Sequence, residues 1–298
     1  MKKRYLSVLF AVGMLFFGLS CAHAEKMVKM VQIKGSDTLI NLVQKLSEVY
    51  MKKNPRRYIA VTGGGSGTGI AALINGKCDI ADASRLMKAK EVAQARERGI
   101  KPTRIVIAMD GISVIVNPRN AVDSLTMGEL SKIFRGEIRN WKDLGGADMP
   151  ITLYGRQSNS GTFAFFREAV LKGDYSSDMR RMNGNAQIVE AIKQDMSGIG
   201  YVGVGYARGA GDSLSIVKVA SRAGGEYISP LDSRAVKSGK YPIARPLNQY
   251  TNGLPQGTAR DFILFELSGQ GQQIVGQEGF FPIPGEYRKF NKKGAGLE

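Results

Sequence analysis

Three times along the chain, a short run of alternating or β-branched residues gives way to a cluster of Gly, Ser and Thr, and then to apolar residues at helical spacing. The first unit is Val31-Gln32-Ile33, then Gly35-Ser36-Asp37-Thr38, then Leu39, Leu42, Val43, Leu46, Val49 and Tyr50, stopped by Asn54-Pro55. The second is Tyr58-Ile59-Ala60-Val61, then Gly63 to Gly69, then Ile70, Leu73 and Ile74, stopped by Asn75-Gly76. The third is Ile151-Thr152-Leu153-Tyr154, then Gly155 to Thr162, then Phe163, Phe166 and Val170. A period of two followed by a period near 3.6 reads as a strand feeding a helix. Units of this kind predict an α/β protein with largely parallel sheets, whose ligands gather beyond the carboxyl ends of the strands.

All three polar clusters lie at that end. A helix start leaves backbone N–H groups without intrahelical partners, and neighbouring hydroxyls add donors, so each cluster suits a small anion. One alone would be an ordinary N-cap. Three of them, one with Arg156 four residues ahead of Ser160, point to a shared oxyanion pocket.

Elsewhere, Ile112, Val114 and Val116 alternate as a strand broken by Asn117-Pro118, and Leu130, Ile133 and Phe134 mark a short helix. Ser197 to Ala207 reads as a glycine-punctuated strand that lets another backbone or a ligand come close. Tyr241 to Tyr250, with Pro242 and Pro246, reads as a connector, and Thr258 to Ile274 resumes helical spacing.

The chain opens on Met1-Lys2-Lys3-Arg4, an uncharged apolar stretch from Leu6 to Leu19, and Ala22-His23-Ala24. This is the pattern of a secretory signal peptide over residues 1–24. Its apolar stretch is shorter than the about twenty residues of a membrane span. Cleavage near Ala24 is favoured over lipid attachment at Cys21, because Gly18 stands where lipoprotein signals carry Leu. The mature chain is expected to be exported, periplasmic or otherwise, and large enough for two lobes. It keeps Cys78 as its only thiol, so no disulfide forms within a monomer, and Cys78 reads as a small buried hydrophobe. The net charge of +16 is spread over scattered lysines and arginines rather than one stripe interleaved with aromatics. That describes a solvated basic surface rather than a nucleic-acid binder.

Catalytic readings find little support. Without a histidine in the mature chain a Ser-His-Asp triad is excluded. Ser215-Ile216-Val217-Lys218 with Lys237-Ser238-Gly239 has the letters of a serine-lysine device, yet its first part reads as strand. The carboxylates lack metal-ligand spacing. Gly67 to Ala72 matches a dinucleotide fingerprint, with Asp82 and Glu91 near the position of a ribose acid, but such matches are frequent in glycine-rich turns and export argues against it. No catalytic residue, metal or cofactor is assigned.

Five stretches in order, Gly35 to Leu39, Gly63 to Arg85, Ile133 to Gly146, Gly155 to Phe163 and Gly198 to Ala207, resemble the signatures of the phosphate-binding proteins that serve bacterial ATP-driven importers. The resemblance covers nearly the whole mature chain. It implies a two-lobed, periplasmic-binding-protein-like α/β fold with two hinge crossovers, closing on inorganic phosphate and docking, as a monomer, on a membrane importer. Carried over position by position, Ser36, Thr38 and Leu39 present donors from the first helix start and Ser66 and Gly67 from the second. Arg156, Ser160, Gly161 and Thr162 do so from the third, and Ser84 and Arg85 complete the set. Known members carry Asp where Arg85 stands, to accept the proton that phosphate retains and sulfate lacks. Asp37 is the first candidate for that acceptor and Asp82 the second, a first-turn acid favoured by the helix dipole being the alternative for Asp37. Arg85 either adds a second cation or pairs with Asp82.

The expected lobes are 25–110 with 246–298, and 111–245. The expected function is an exported phosphate receptor. The alternatives are a receptor for sulfate or tungstate, and a secreted phosphate-ester hydrolase.

Overall fold

The computed structural model describes residues 30–296, so the expected signal peptide, with Cys21 and His23, lies outside the described residues. The chain forms two mixed sheets. The first has the order β2-β1-β3-β11-β4 and the second β6-β10-β5-β9-β7-β8. Strands of the first are β1 Val31–Gly35, β2 Ile59–Thr62, β3 Ile80–Ala83, β4 Pro102–Gly111 and β11 Ala244–Asn252. Those of the second are β5 Ser113–Val116, β6 Ser124–Thr126, β7 Thr152–Arg156, β8 Arg180–Met182, β9 Gly198–Val202 and β10 Ser215–Ala220. Each sheet with its helices makes one lobe of a two-lobed α/β fold.

The three sequence units fold as expected. Helix Ile40–Lys53 buries Leu42, Val43, Leu46 and Tyr50, and ends at Asn54. Helix Ser66–Ile74 packs so closely on β1 that a Cβ on Gly69 would lie 2.3 Å from the carbonyl oxygen of Lys34. The third helix, Gly161–Phe166, continues into a wider π-type turn, Arg167–Leu171. The run Ser215–Ala220 is a strand, which removes the serine-lysine reading. Cys78 is half-buried, and burial pushes its thiol up to about 12, as suits an inert side chain.

Three expectations need correction. The sheets are mixed rather than largely parallel: β11 runs antiparallel to β3 and β4, and β5 antiparallel to β9 and β10. These antiparallel strands are the ones that leave and re-enter the first sheet, a reversal that no single strand pattern records. The expected connector Tyr241 to Tyr250 is largely β11, lying between β3 and β4. Pro246 fits there because β3 pairs only with Asn248, Gln249 and Tyr250, leaving the stretch around Pro246 flanked by β4 alone. The glycine-punctuated strand ends at Val202, and Val204–Ala210 is a helix, so β9 supplies a further strand-to-helix junction.

The chain crosses between sheets at Gly111–Ser113 and returns just before Ala244. The two crossings run side by side, with Ile112 N–H on the Ile243 carbonyl at 3.0 Å and the Tyr241 hydroxyl on the Ile112 carbonyl at 2.6 Å.

Inside the first lobe a polar cluster replaces part of the hydrocarbon core. The Gln249 amide donates to Asp82 Oδ1 at 3.2 Å and to Glu266 Oε1 at 3.1 Å, and all three residues are buried. Burial raises the Asp82 carboxyl from 3.8 to about 8, against the lowering effect of the Gln249 hydrogen bond. Glu266 is raised as well, by burial and by the nearby Asp82. The folded state therefore holds a proton on Asp82 that the unfolded chain has released. The stability this contributes is full below 3.8 and falls as pH rises toward 8. Thermal melts of wild type and Asp82→Asn at pH ~5 and ~8 are expected to show a steeper loss of stability with rising pH in the wild type. Equal slopes would show that Asp82 is not protonated in the fold.

Candidate anion-binding site

The strand-to-helix junctions of both sheets meet at one place. β1 ends at Gly35, and Ser36 follows with its N–H on the Asp82 carbonyl at 2.9 Å. β3 ends at Ala83, which places Ser84 beside it, and the Ser36 hydroxyl donates to Ser84 Oγ at 2.9 Å. Ser66, at the start of the second helix, receives the Ser84 N–H at 3.0 Å and lies 3.3 Å from its hydroxyl. From the second sheet comes Thr162, whose hydroxyl meets that of Thr38 at 2.9 Å. Gly161 sits against the serines: a Cβ there would fall 2.2 Å from Ser66 Oγ and 2.6 Å from Ser84 Oγ. Side chains from both lobes thus form one buried hydroxyl cluster of Ser36, Ser66, Ser84, Thr38 and Thr162.

Arg156, the last residue of β7, is 1% exposed. Its Nη2 donates across the cleft to Asp37 Oδ2 and, within its own lobe, to the Asn183 carbonyl at 2.8 Å. Its Nε is buried with no hydrogen-bond partner among the described residues. The strand is held in place by aromatic packing. The Arg156 N–H donates to the Tyr201 hydroxyl at 3.3 Å, Tyr201 donates to the Tyr175 hydroxyl at 2.9 Å, and the Tyr201 ring stacks on Phe166 with centroids 4.2 Å apart. A guanidinium on such a support has little freedom to turn toward water.

Further bonds close the cleft. Asn159 Nδ2 donates to the Gly64 carbonyl at 2.8 Å, Gly67 N–H to the Asn159 carbonyl at 2.9 Å, and the Tyr206 hydroxyl to the Asp37 carbonyl at 2.8 Å. Asp37 Oδ1 accepts the Gly64 N–H at 2.8 Å, so its carboxylate serves both lobes.

The expected residues divide into three groups. Ser36, Thr38, Ser66, Ser84, Gly161, Thr162 and, through Asp37, Arg156 come together. Ser160 and Gly67 border them with their groups engaged: Ser160 Oγ caps the third helix, accepting the Thr162 and Phe163 N–H groups at 3.2 and 3.3 Å, and Gly67 N–H bonds Asn159. Leu39 follows Thr38 with its N–H on the Ser36 carbonyl at 3.0 Å and its side chain in the hydrophobic core, and Arg85 stands apart. Arg85 grips Glu91 with both Nη groups, each at 2.7 Å, rather than Asp82. Glu91, although partly buried, is held below the usual carboxylate range by Arg85 and the Lys88 N–H. Of the two candidate proton acceptors, Asp37 is at the cleft and Asp82 is in the core cluster with Gln249 and Glu266.

The sequence reading missed Arg245 and Asp110. Arg245 Nε and Nη2 reach Asp110 Oδ2 at 3.0 and 2.8 Å, and Nη2 also donates to Thr162 Oγ1 at 3.0 Å. Both residues are at most 1% exposed. A signal was present: Asp110 follows the apolar run Ile105 to Met109, and an acid there needs a buried partner.

Comparison with known proteins agrees with this architecture. Residues 21–270 match the family model of the PBP superfamily domain. The chain is 32% identical over 281 residues to phosphate-binding protein PstS of Pseudomonas aeruginosa, covering 88% of this chain and 86% of that protein. It is 31% identical over 268 residues to the PstS of Bacillus subtilis, covering 89% and 84%. A phosphate ABC transporter substrate-binding protein of Clostridium perfringens, solved with bound phosphate, superposes with a TM-score of 0.76 at 30% identity, over 86% of this chain and all of that one. The chain therefore belongs to the PBP superfamily and, within it, to the family of the phosphate-binding protein PstS.

Proposed function

We propose that this protein is an exported receptor that takes inorganic phosphate between its lobes and delivers it to a membrane ATP-driven importer. The observation that carries the reading is Arg156: a buried guanidinium whose Nε has no partner among the described residues, at the same junctions as hydroxyl groups that hydrogen-bond one another. A phosphate oxygen gives that N–H an ionised acceptor, and charge-assisted bonds are about twice as strong as neutral ones. Hydroxyl pairs such as Thr38–Thr162 and Ser36–Ser84 release donors to the ligand when they part.

The ligand set is Ser36, Thr38, Ser66, Ser84, Arg156, Gly161 and Thr162, with Ser160 shaping the helix start. Asp37 has two roles in this reading: it holds Arg156, and its remaining lone pairs offer the acceptor for a ligand proton. Arg85 acts through its pair with Glu91, as a clamp on the rim, and adds no free charge. The lobe bounds expected from the sequence shift by one or two residues at the crossings in this reading: lobe one comprises residues 30–111 and 244–296, and lobe two 112–243. The strand ends at Gly111 and Ala244 support a hinge at the two crossings.

Support for transport comes from relatives named as phosphate-binding proteins and as parts of phosphate ABC transporters, and for export from the leader pattern at residues 1–24. No described helix is long and apolar enough to cross a membrane. The receptor acts as a monomer on its importer.

Three measurements test the reading. In titration calorimetry, phosphate is expected to bind far more tightly than sulfate, and Arg156→Ala to weaken phosphate at least ~30-fold. Equal affinity for the two anions would make this a general oxyanion receptor. Gly161→Ala puts a methyl group where the Ser66 and Ser84 hydroxyls lie, so phosphate is expected to lose its ability to compact the protein in small-angle scattering; normal compaction would mean the cleft closes elsewhere. Incubation with a chromogenic phosphate ester is expected to give no turnover, and turnover abolished by Ser160→Ala would make the protein a hydrolase.

A further inference from the structure

Arg245 is the second guanidinium buried at the junctions, and its bonds reach most of them. Besides Asp110 and Thr162 Oγ1, it donates from Nη1 to the Ser84 carbonyl at 2.8 Å, and its Nη2 lies 3.5 Å from Thr38 Oγ1. Asp110, directly opposite in the β4–β11 register, accepts the Val204 N–H on Oδ1 at 2.8 Å, at the start of the helix that follows β9. One ion pair at the interlobe crossing thus touches the junctions after β1, β3, β7 and β9. The close fit extends to Gly203, where a Cβ would lie 2.7 Å from Thr38 Cγ2.

The protons of the threonine pair follow from these bonds. A hydroxyl has one hydrogen and two lone pairs. The Thr38–Thr162 bond uses one hydrogen and one lone pair, whichever residue donates. Arg245 occupies a further lone pair on Thr162 and stands at the limit of hydrogen-bond distance from Thr38. One hydroxyl hydrogen remains for a ligand, while the capacity of the pair to accept has been reduced. The adjacent positive charge also strengthens that hydrogen as a donor.

We propose that Arg245 is a positioning residue for the anion: by binding the threonine oxygens from behind, it turns the Thr38–Thr162 pair into a donor directed at an ionised oxygen. Asp110 neutralises it and fixes its fork, so that it acts through the hydroxyls rather than as a second free cation. The assignment rests on the reading of the cleft as a phosphate site. It adds a specificity element that lies on the crossing strand, outside the three glycine-rich units.

Arg245→Lys separates this role from simple charge pairing. Lysine keeps a cation opposite Asp110 but cannot reach Asp110, the Ser84 carbonyl and Thr162 together. Calorimetry of the full mature chain with inorganic phosphate is expected to show Arg245→Lys binding about 10-fold weaker or worse. In a Thr162→Val background, where the hydroxyl is gone, the same change is expected to cost less than about 3-fold. If the lysine variant does not fold, Arg245→Gln combined with Asp110→Asn removes both charges and is measured in the same two backgrounds with the same expectation. Wild-type affinity in the Arg245 variants, or an equal loss with and without the Thr162 hydroxyl, would overturn the assignment while leaving the phosphate reading intact. A wild-type protein that took up no phosphate would overturn both.

Discussion

A guanidinium removed from water needs a counter-charge and acceptors for its N–H groups, or the fold that buries it is lost. This protein buries two of them at the meeting point of its lobes. Arg156 reaches Asp37 across the cleft, and Arg245 meets Asp110 on the neighbouring crossing strand. Each pair joins parts of the chain that are far apart in sequence: Asp110–Arg245 forms once β4 and β11 are paired in the first sheet, and Arg156–Asp37 only when the two sheets are correctly placed. Burial pushes Arg245 down, Asp110 opposes that effect, and the nearby Arg156 adds to it. The two cations are thus close enough to feel each other, and an anion between the lobes relieves part of their repulsion.

The hydroxyl cluster complements this charge balance. Each of the two arginines has one carboxylate, so recognition depends on aimed dipoles more than on an excess of positive charge. Serine and threonine suit the task because a hydroxyl turns freely between donor and acceptor. In the closed cleft they satisfy one another, and a ligand exchanges those neutral bonds for charge-assisted ones. The exchange is possible only because glycine allows the approach: with any larger residue at position 161, the helix start of one lobe would not fit against the serines of the other.

Local pattern made much of this visible. The three strand-to-helix units, their stop signals and the gathering of Ser36, Thr38, Ser66, Arg156, Gly161 and Thr162 at one end of the sheets could be read from residue spacing, because period and turn chemistry are local properties. Arg85 was misplaced because its partner, Glu91, lies six residues on in a short helix whose start only the structure defines. Arg245 was missed because Pro242 and Pro246 mark its surroundings as a connector. Whether a proline can sit in a strand depends on which neighbour lies on its N–H side, and that is a property of the sheet. The junction after β9 was hidden for a similar reason, since glycines that admit a close neighbour look alike in a strand and in a turn.

The sequence by itself determined the alternation of strand and helix and the donor-rich helix starts, since each follows from residue type and short-range spacing. Tertiary structure decided which donors face one another, which carboxylate serves which arginine, and where the chain passes between lobes. Those outcomes depend on pairings whose members lie more than a hundred residues apart: Asp110 with Arg245, which meet when β4 and β11 pair, and Asp37 with Arg156, which meet only when both sheets are formed.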